Sequence, residues 1–148
     1  MRRAPVALAA AAALSAGLVV AVAGWPPEGA ATGDGRSLGP GPATVAIDIH
    51  HSRFSLERIN LEPGTLLRFV VTNDDPIVHE LVVGDETVHA RHAAGTEAVH
   101  PPVPGEVSVR PGEVGVTSMR FDHPGTFVFA CHLPGHVRYG MHGEVVVG

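Results

Sequence analysis

An all-β fold, an antiparallel β-sandwich, is what this sequence predicts for residues 44–148, and three observations predict it. Runs rich in Val, Ile, Thr and Phe recur at residues 44–49, 66–72, 80–83, 106–109, 114–121, 126–130 and 143–147. Turn chemistry bounds them: Glu62-Pro63-Gly64, Asn73-Asp74-Asp75-Pro76, Arg110-Pro111-Gly112-Glu113 and Asp122-His123-Pro124-Gly125. Helical periodicity is scarce. About seven short strands spaced in this way argue for two sheets packed face to face.

Taken in order, Thr44-Val45-Ala46-Ile47-Asp48-Ile49 alternates in polarity, and Leu66-Leu67-Arg68-Phe69-Val70-Val71-Thr72 is β-branched and aromatic. Residues 80–83 follow the Asn73–Pro76 turn and His79. Residues 85–104 carry Pro101-Pro102 and Pro104 without a clean period, and read as a long excursion with one helical turn around 86–92. The strands at 106–109, 114–121 and 126–130 then lead to the closing run Gly143-Glu144-Val145-Val146-Val147.

Ahead of this domain stand two other segments. Met1-Arg2-Arg3 precedes an apolar run to Ala23 that ends Ala21-Val22-Ala23, the pattern of a secretory signal peptide. Its length also suits an uncleaved N-terminal membrane anchor. Either way the domain is expected outside the cytoplasm, periplasmic, extracellular or tethered at the cell surface. Residues 24–43, rich in Gly, Pro and Ala, read as a flexible linker.

The chain of 148 residues has a formal charge of −5, which becomes −7 without Arg2 and Arg3, and it has no lysine. A basic surface for nucleic acid is therefore excluded. A lone cysteine, Cys131, cannot form an internal disulfide. It packs as a buried thiol, pairs with another chain, or binds metal, and its neighbours favour metal. His136 lies five residues on and Met141 five further, so one loop carries a thiolate, an imidazole and a thioether. That soft set suits copper, with a second imidazole required from elsewhere. His79, behind the Asn73–Pro76 turn, is the best-placed supplier. The candidate ligands are thus His79, Cys131, His136 and Met141. Pro134-Gly135 turns His136 back towards the sulfur, and Gly140 permits a tight backbone before Met141.

These same marks resemble the cupredoxins, the small blue copper proteins that include plastocyanin, azurin, auracyanin and rusticyanin. They are Asn73 to His79, Phe129-Ala130-Cys131, Pro134-Gly135-His136, Gly140-Met141 and Val145-Val146-Val147. The ligand-loop spacing is similar to that of rusticyanin and auracyanin, and His79 to Gly84 resembles exported cupredoxins of copper tolerance. The resemblance implies a Greek-key sandwich holding one type 1 copper on the four residues above. It also implies a monomer that carries single electrons between redox partner proteins, with copper sequestration or delivery as the alternative role. The residue after the first histidine departs from the plastocyanin pattern: Glu80 stands where Asn ties the two ligand loops together.

An enzyme is not expected. A coupled copper cluster needs histidines on both sides of the cysteine, and Ala130 precedes Cys131 although His132 follows it. No Ser/His/Asp arrangement appears. His132 should alternate away from the metal. His89, His92 and His100 raise the question of an accessory metal site, but without an acidic or sulfur partner in the pattern they read as solvated loop residues. Asp48, Asp74, Asp75 and Glu80 read as turn and surface carboxylates.

Overall fold

The computed structural model describes residues 37–95 and 99–148. The leader expected at residues 1–23, and the linker as far as residue 36, lie outside the described residues. Within them eight strands occur in the order β1 (Gly41–Ile49), β2 (Arg58–Leu61), β3 (Thr65–Asn73), β4 (His79–Gly84), β5 (Glu106–Val109), β6 (Val114–Phe121), β7 (Gly125–Ala130) and β8 (His142–Val147). Helix α1 (Glu86–Ala94) sits between β4 and β5, and a short 3-10 turn (Val137–Tyr139) between β7 and β8. No helix among the described residues is long and apolar enough to cross a membrane.

One sheet has the order β1-β3-β6 and the other β2-β8-β7-β4-β5. The sandwich is as expected, but its pairing is mixed. β1 runs parallel to β3 and β2 parallel to β8, while the remaining pairs are antiparallel. A strand that crosses between sheets, rather than turning back as a hairpin, arrives parallel to its neighbour. β2 was not anticipated, and β1 begins at Gly41, inside the stretch read as linker.

The core lies between the sheets. Val45, Ile47 and Ile49 of β1 and Leu67, Phe69 and Val71 of β3 are fully buried, with more exposed residues between them. Period-2 alternation turns this set inward, and each such side chain contributes roughly 1.5–3 kcal/mol of transfer free energy.

β4 is different, because all six of its residues are buried. Leu81 and Val83 belong to the core cluster between the sheets. The alternate residues, Glu80 and Val82, face the other way and are covered by α1 and the chain after it. The Asp85 side chain caps α1 by accepting a hydrogen bond from the Val88 N–H at 3.1 Å. Gly84 lets the helix approach closely, since a Cβ there would stand 2.6 Å from Val88 Cβ. The excursion expected to hold one helical turn thus forms a nine-residue helix lying over a sheet.

Candidate metal centre

At one end of the sandwich, β4 begins with His79 and β7 ends just before Cys131. The loop from Cys131 to Met141 is stitched by its main chain. The Met141 N–H donates to the His136 carbonyl at 3.0 Å, and the Cys131 N–H to the Met141 carbonyl at 3.2 Å. All three residues are therefore fixed to one another through the backbone. Gly140 closes the 3-10 turn with φ of 91°, a left-handed conformation that side chains resist.

This loop meets His79 as expected. Cys131 Sγ lies 3.3 Å from His136 Nδ1 and 3.9 Å from His79 Nδ1. The three donor atoms lie within 4.8 Å of one another. His79, Cys131 and Met141 are fully buried, and only His136 of the four reaches towards solvent. Next to it in the chain Val137 is 38% and Tyr139 75% exposed, with Arg138 exposed between them. A thiol and two imidazoles converging in a buried pocket, with a thioether residue fastened to the same loop, fit the preferences of copper.

Two carboxylates read as surface groups turn out to be buried parts of this centre, and both correct the sequence reading. Asp75 is only 7% exposed. Its Oδ2 accepts a hydrogen bond from His79 Nε2 at 3.0 Å, so that nitrogen carries the proton and Nδ1 turns a lone pair towards the sulfur. Asp75 is held in turn by the N–H groups of His51 at 2.7 Å and Ser52 at 2.6 Å. Both residues have left-handed backbones, with φ of 51° and 53°, which aim consecutive N–H groups at one anion. Burial pushes the Asp75 carboxyl up, but the Ser52 and His51 N–H groups and His79 outweigh it and hold it below its ordinary value. Burial depresses His79, with Asp75 opposing, so the imidazole favours its neutral, ligating form. Asn73 shapes the same loop: its amide donates to the carbonyls of Ile77 and Val109, and its oxygen accepts from Asp75 N–H.

Glu80 is 2% exposed. Its Oε1 accepts the His132 N–H at 2.7 Å, which joins the His79 strand to the Cys131 loop. The tie that the plastocyanin pattern makes with Asn is made here by a carboxylate. Burial pushes the Cys131 thiol up to about 11, against N–H donation from Glu80 and Leu133. The metal-free cysteine is therefore a thiol, and a bound metal ion replaces its proton.

His132 points away from the sulfur as expected. It bonds His89 at 2.8 Å, and burial with the charges of His89 and His92 lowers its pKa to about 4. His142 is exposed and stands apart from the centre.

Residues 43–148 match the family described as copper binding proteins, plastocyanin/azurin family. A copper-resistant cuproprotein CopI from Rubrivivax gelatinosus is 37% identical over 98 residues, covering 64% of this chain and 59% of that protein. The chain thus spans about three fifths of that relative's length. The CopI of Pseudomonas aeruginosa is 23% identical over 155 residues, covering 82% of this chain and 85% of the relative. Among solved structures, reduced auracyanin from Roseiflexus castenholzii superposes with a TM-score of 0.59 at 21% identity, over 71% of this chain and 96% of auracyanin. That likeness speaks for the fold.

Proposed function

The chain belongs to the plastocyanin/azurin family of copper-binding proteins, and from that premise we propose that it carries single electrons through a copper held by His79, Cys131, His136 and Met141. One type 1 copper is the cofactor. Bound there, it would supply a one-electron redox couple whose potential Met141 and the hydrogen bonds around the Cys131 sulfur would tune. The observation that carries this reading is the convergence of Cys131 Sγ and two imidazole Nδ1 atoms in a buried pocket whose loop is already braced.

The chain's own residues do three things. Asp75 fixes the tautomer and orientation of His79. The Glu80 tie and the Cys131–Met141 backbone bond keep the two loops in register, so little rearranges when charge changes. Half-buried His136, beside exposed Val137 and Tyr139, offers the shortest route from the pocket to a docked redox protein. An ion held by all four residues would have no open coordination position for a substrate, which favours a carrier over an enzyme. Export or membrane tethering by residues 1–23 would place the carrier outside the cytoplasm.

The relatives' names favour copper tolerance as the process served. Voltammetry of the copper-loaded full chain should show a reversible one-electron wave. The same gene should raise the copper tolerance of a sensitive bacterial host, and Cys131→Ser should abolish both effects. A loaded protein without a reversible wave would overturn the carrier role. Tolerance unaffected by Cys131→Ser would detach that process from this centre.

A further inference from the structure

On the opposite face of β4 and β7 from the copper pocket, a second set of donors converges. Glu80 follows His79 in β4, so strand alternation sends it under α1, and His132, next to Cys131, reaches the same side to bond His89 of that helix. There His92 of α1 and His100 of the following segment meet the Glu80 carboxylate. Their donor atoms lie within 4.8 Å of one another.

Proton accounting shows what this cluster lacks. His92 Nε2 donates to Glu106 Oε2 at 2.9 Å, so in the neutral ring Nδ1 is a bare lone pair, and it faces Glu80 Oε2 at 3.7 Å. His100 Nδ1 donates to the Pro101 carbonyl at 3.0 Å, so Nε2 is likewise bare, and it faces the same oxygen at 3.6 Å. His100 Nε2 is buried with no hydrogen-bond partner. Glu80 Oε1 is engaged by His132 N–H, which leaves Oε2 to the two imidazoles. Three acceptors therefore point at one another with no donor among them. The separations are too long for a charge-assisted hydrogen bond. They are close to the roughly 3–3.5 Å edges expected when such atoms share an ion at about 2 Å.

We infer that Glu80, His92 and His100 form a second metal site, taking a divalent first-row transition ion. Two imidazoles and one carboxylate suit Cu(II) or Zn(II), and Cu(II) is held the more tightly in the general affinity order. Each imidazole is already oriented through its other nitrogen, by Glu106 and by the Pro101 carbonyl, as metal-bound histidines usually are. Arg91 pairs with Glu106 and steadies that support. The site borders a cavity of about 1050 Å³ lined also by His132 and Pro134. It shares two peptide units with the copper pocket but none of its ligands, and it does not depend on the pocket being occupied.

The test is Cu(II) stoichiometry and EPR on the full chain. Wild type should bind two ions, one of them with a Cu(II) signal that lacks thiolate character. His92→Ala/His100→Ala should lose that ion and signal while keeping the coloured thiolate centre, which also reports that the variant is folded. Cys131→Ser should keep the second ion, so failure of the thiolate centre and failure of this site read out separately. Glu106→Ala should weaken the second ion by about 10–100-fold. A single ion in wild type, or a second ion undiminished in the double variant, would overturn the assignment.

Discussion

Replacing Asp75 with Ala removes one side chain and strands three donors. His51 N–H, Ser52 N–H and His79 Nε2–H all end on its carboxylate. Hydrogen bonds to a charged group contribute about 1.5–3 kcal/mol each. His51 is exposed and Ser52 half-buried, so water can reclaim much of what their N–H groups lose. His79 is fully buried and cannot turn to water. With that discount the metal-free variant should lose about 3 kcal/mol of stability, mostly from the stranded His79 Nε2–H. Copper affinity should fall about 10–100-fold, because nothing then fixes the His79 tautomer. Asp75→Asn keeps an acceptor and the shape, and should recover part of both losses. Urea unfolding of the metal-free forms and copper competition against a chelator measure the two effects. Stability within ~0.5 kcal/mol of wild type for Asp75→Ala would refute the view that this carboxylate braces the pocket.

Three further outcomes follow from the same geometry. Gly140→Ala, at φ of 91°, should cost about 1–2 kcal/mol in unfolding free energy, since a left-handed residue closes the ligand loop. Glu80→Ala strands the His132 N–H and should cost about 1–3 kcal/mol, with Glu80→Gln restoring most of it because an acceptor remains. With the Cys131 thiol pushed up to about 11, the metal-free side chain is protonated at neutral pH. Filling the thiolate centre should therefore release about one proton per chain across pH 7–9, and progressively less as pH rises through 11. Calorimetry in buffers of different ionisation enthalpy reads that number, and zero release would show a thiolate already present.

Residue types and spacing disclosed most of the sandwich and the copper pocket, for a local reason. Cys131, His136 and Met141 fall within one loop, and strand alternation in β1 and β3 is visible without tertiary knowledge. β2 escaped notice because Arg58-Ile59-Asn60-Leu61 is only four residues long and gains its partner, β8, from the far end of the chain. The supporting carboxylates were hidden by company. Asp75 sits in a polar turn, and the N–H groups that justify burying it lie 24 and 23 residues upstream. The i,i+4 spacing of Asp75 and His79 was the one available hint. Glu80 looked like the polar member of an alternating strand, since only the length and path of α1 reveal that β4 is covered on both faces. The same covering supplies the carboxylate whose apparent absence made His92 and His100 read as solvated. His89, grouped with them in sequence, bonds His132 and the Val128 carbonyl instead.

The visible absorption spectrum of the copper-loaded full chain tests the central claim most directly. An intense thiolate-to-Cu(II) band, lost in Cys131→Ser and bleached by one electron per chain, is the predicted result. A colourless Cu(II) protein, or colour that survives the loss of the sulfur, would contradict it.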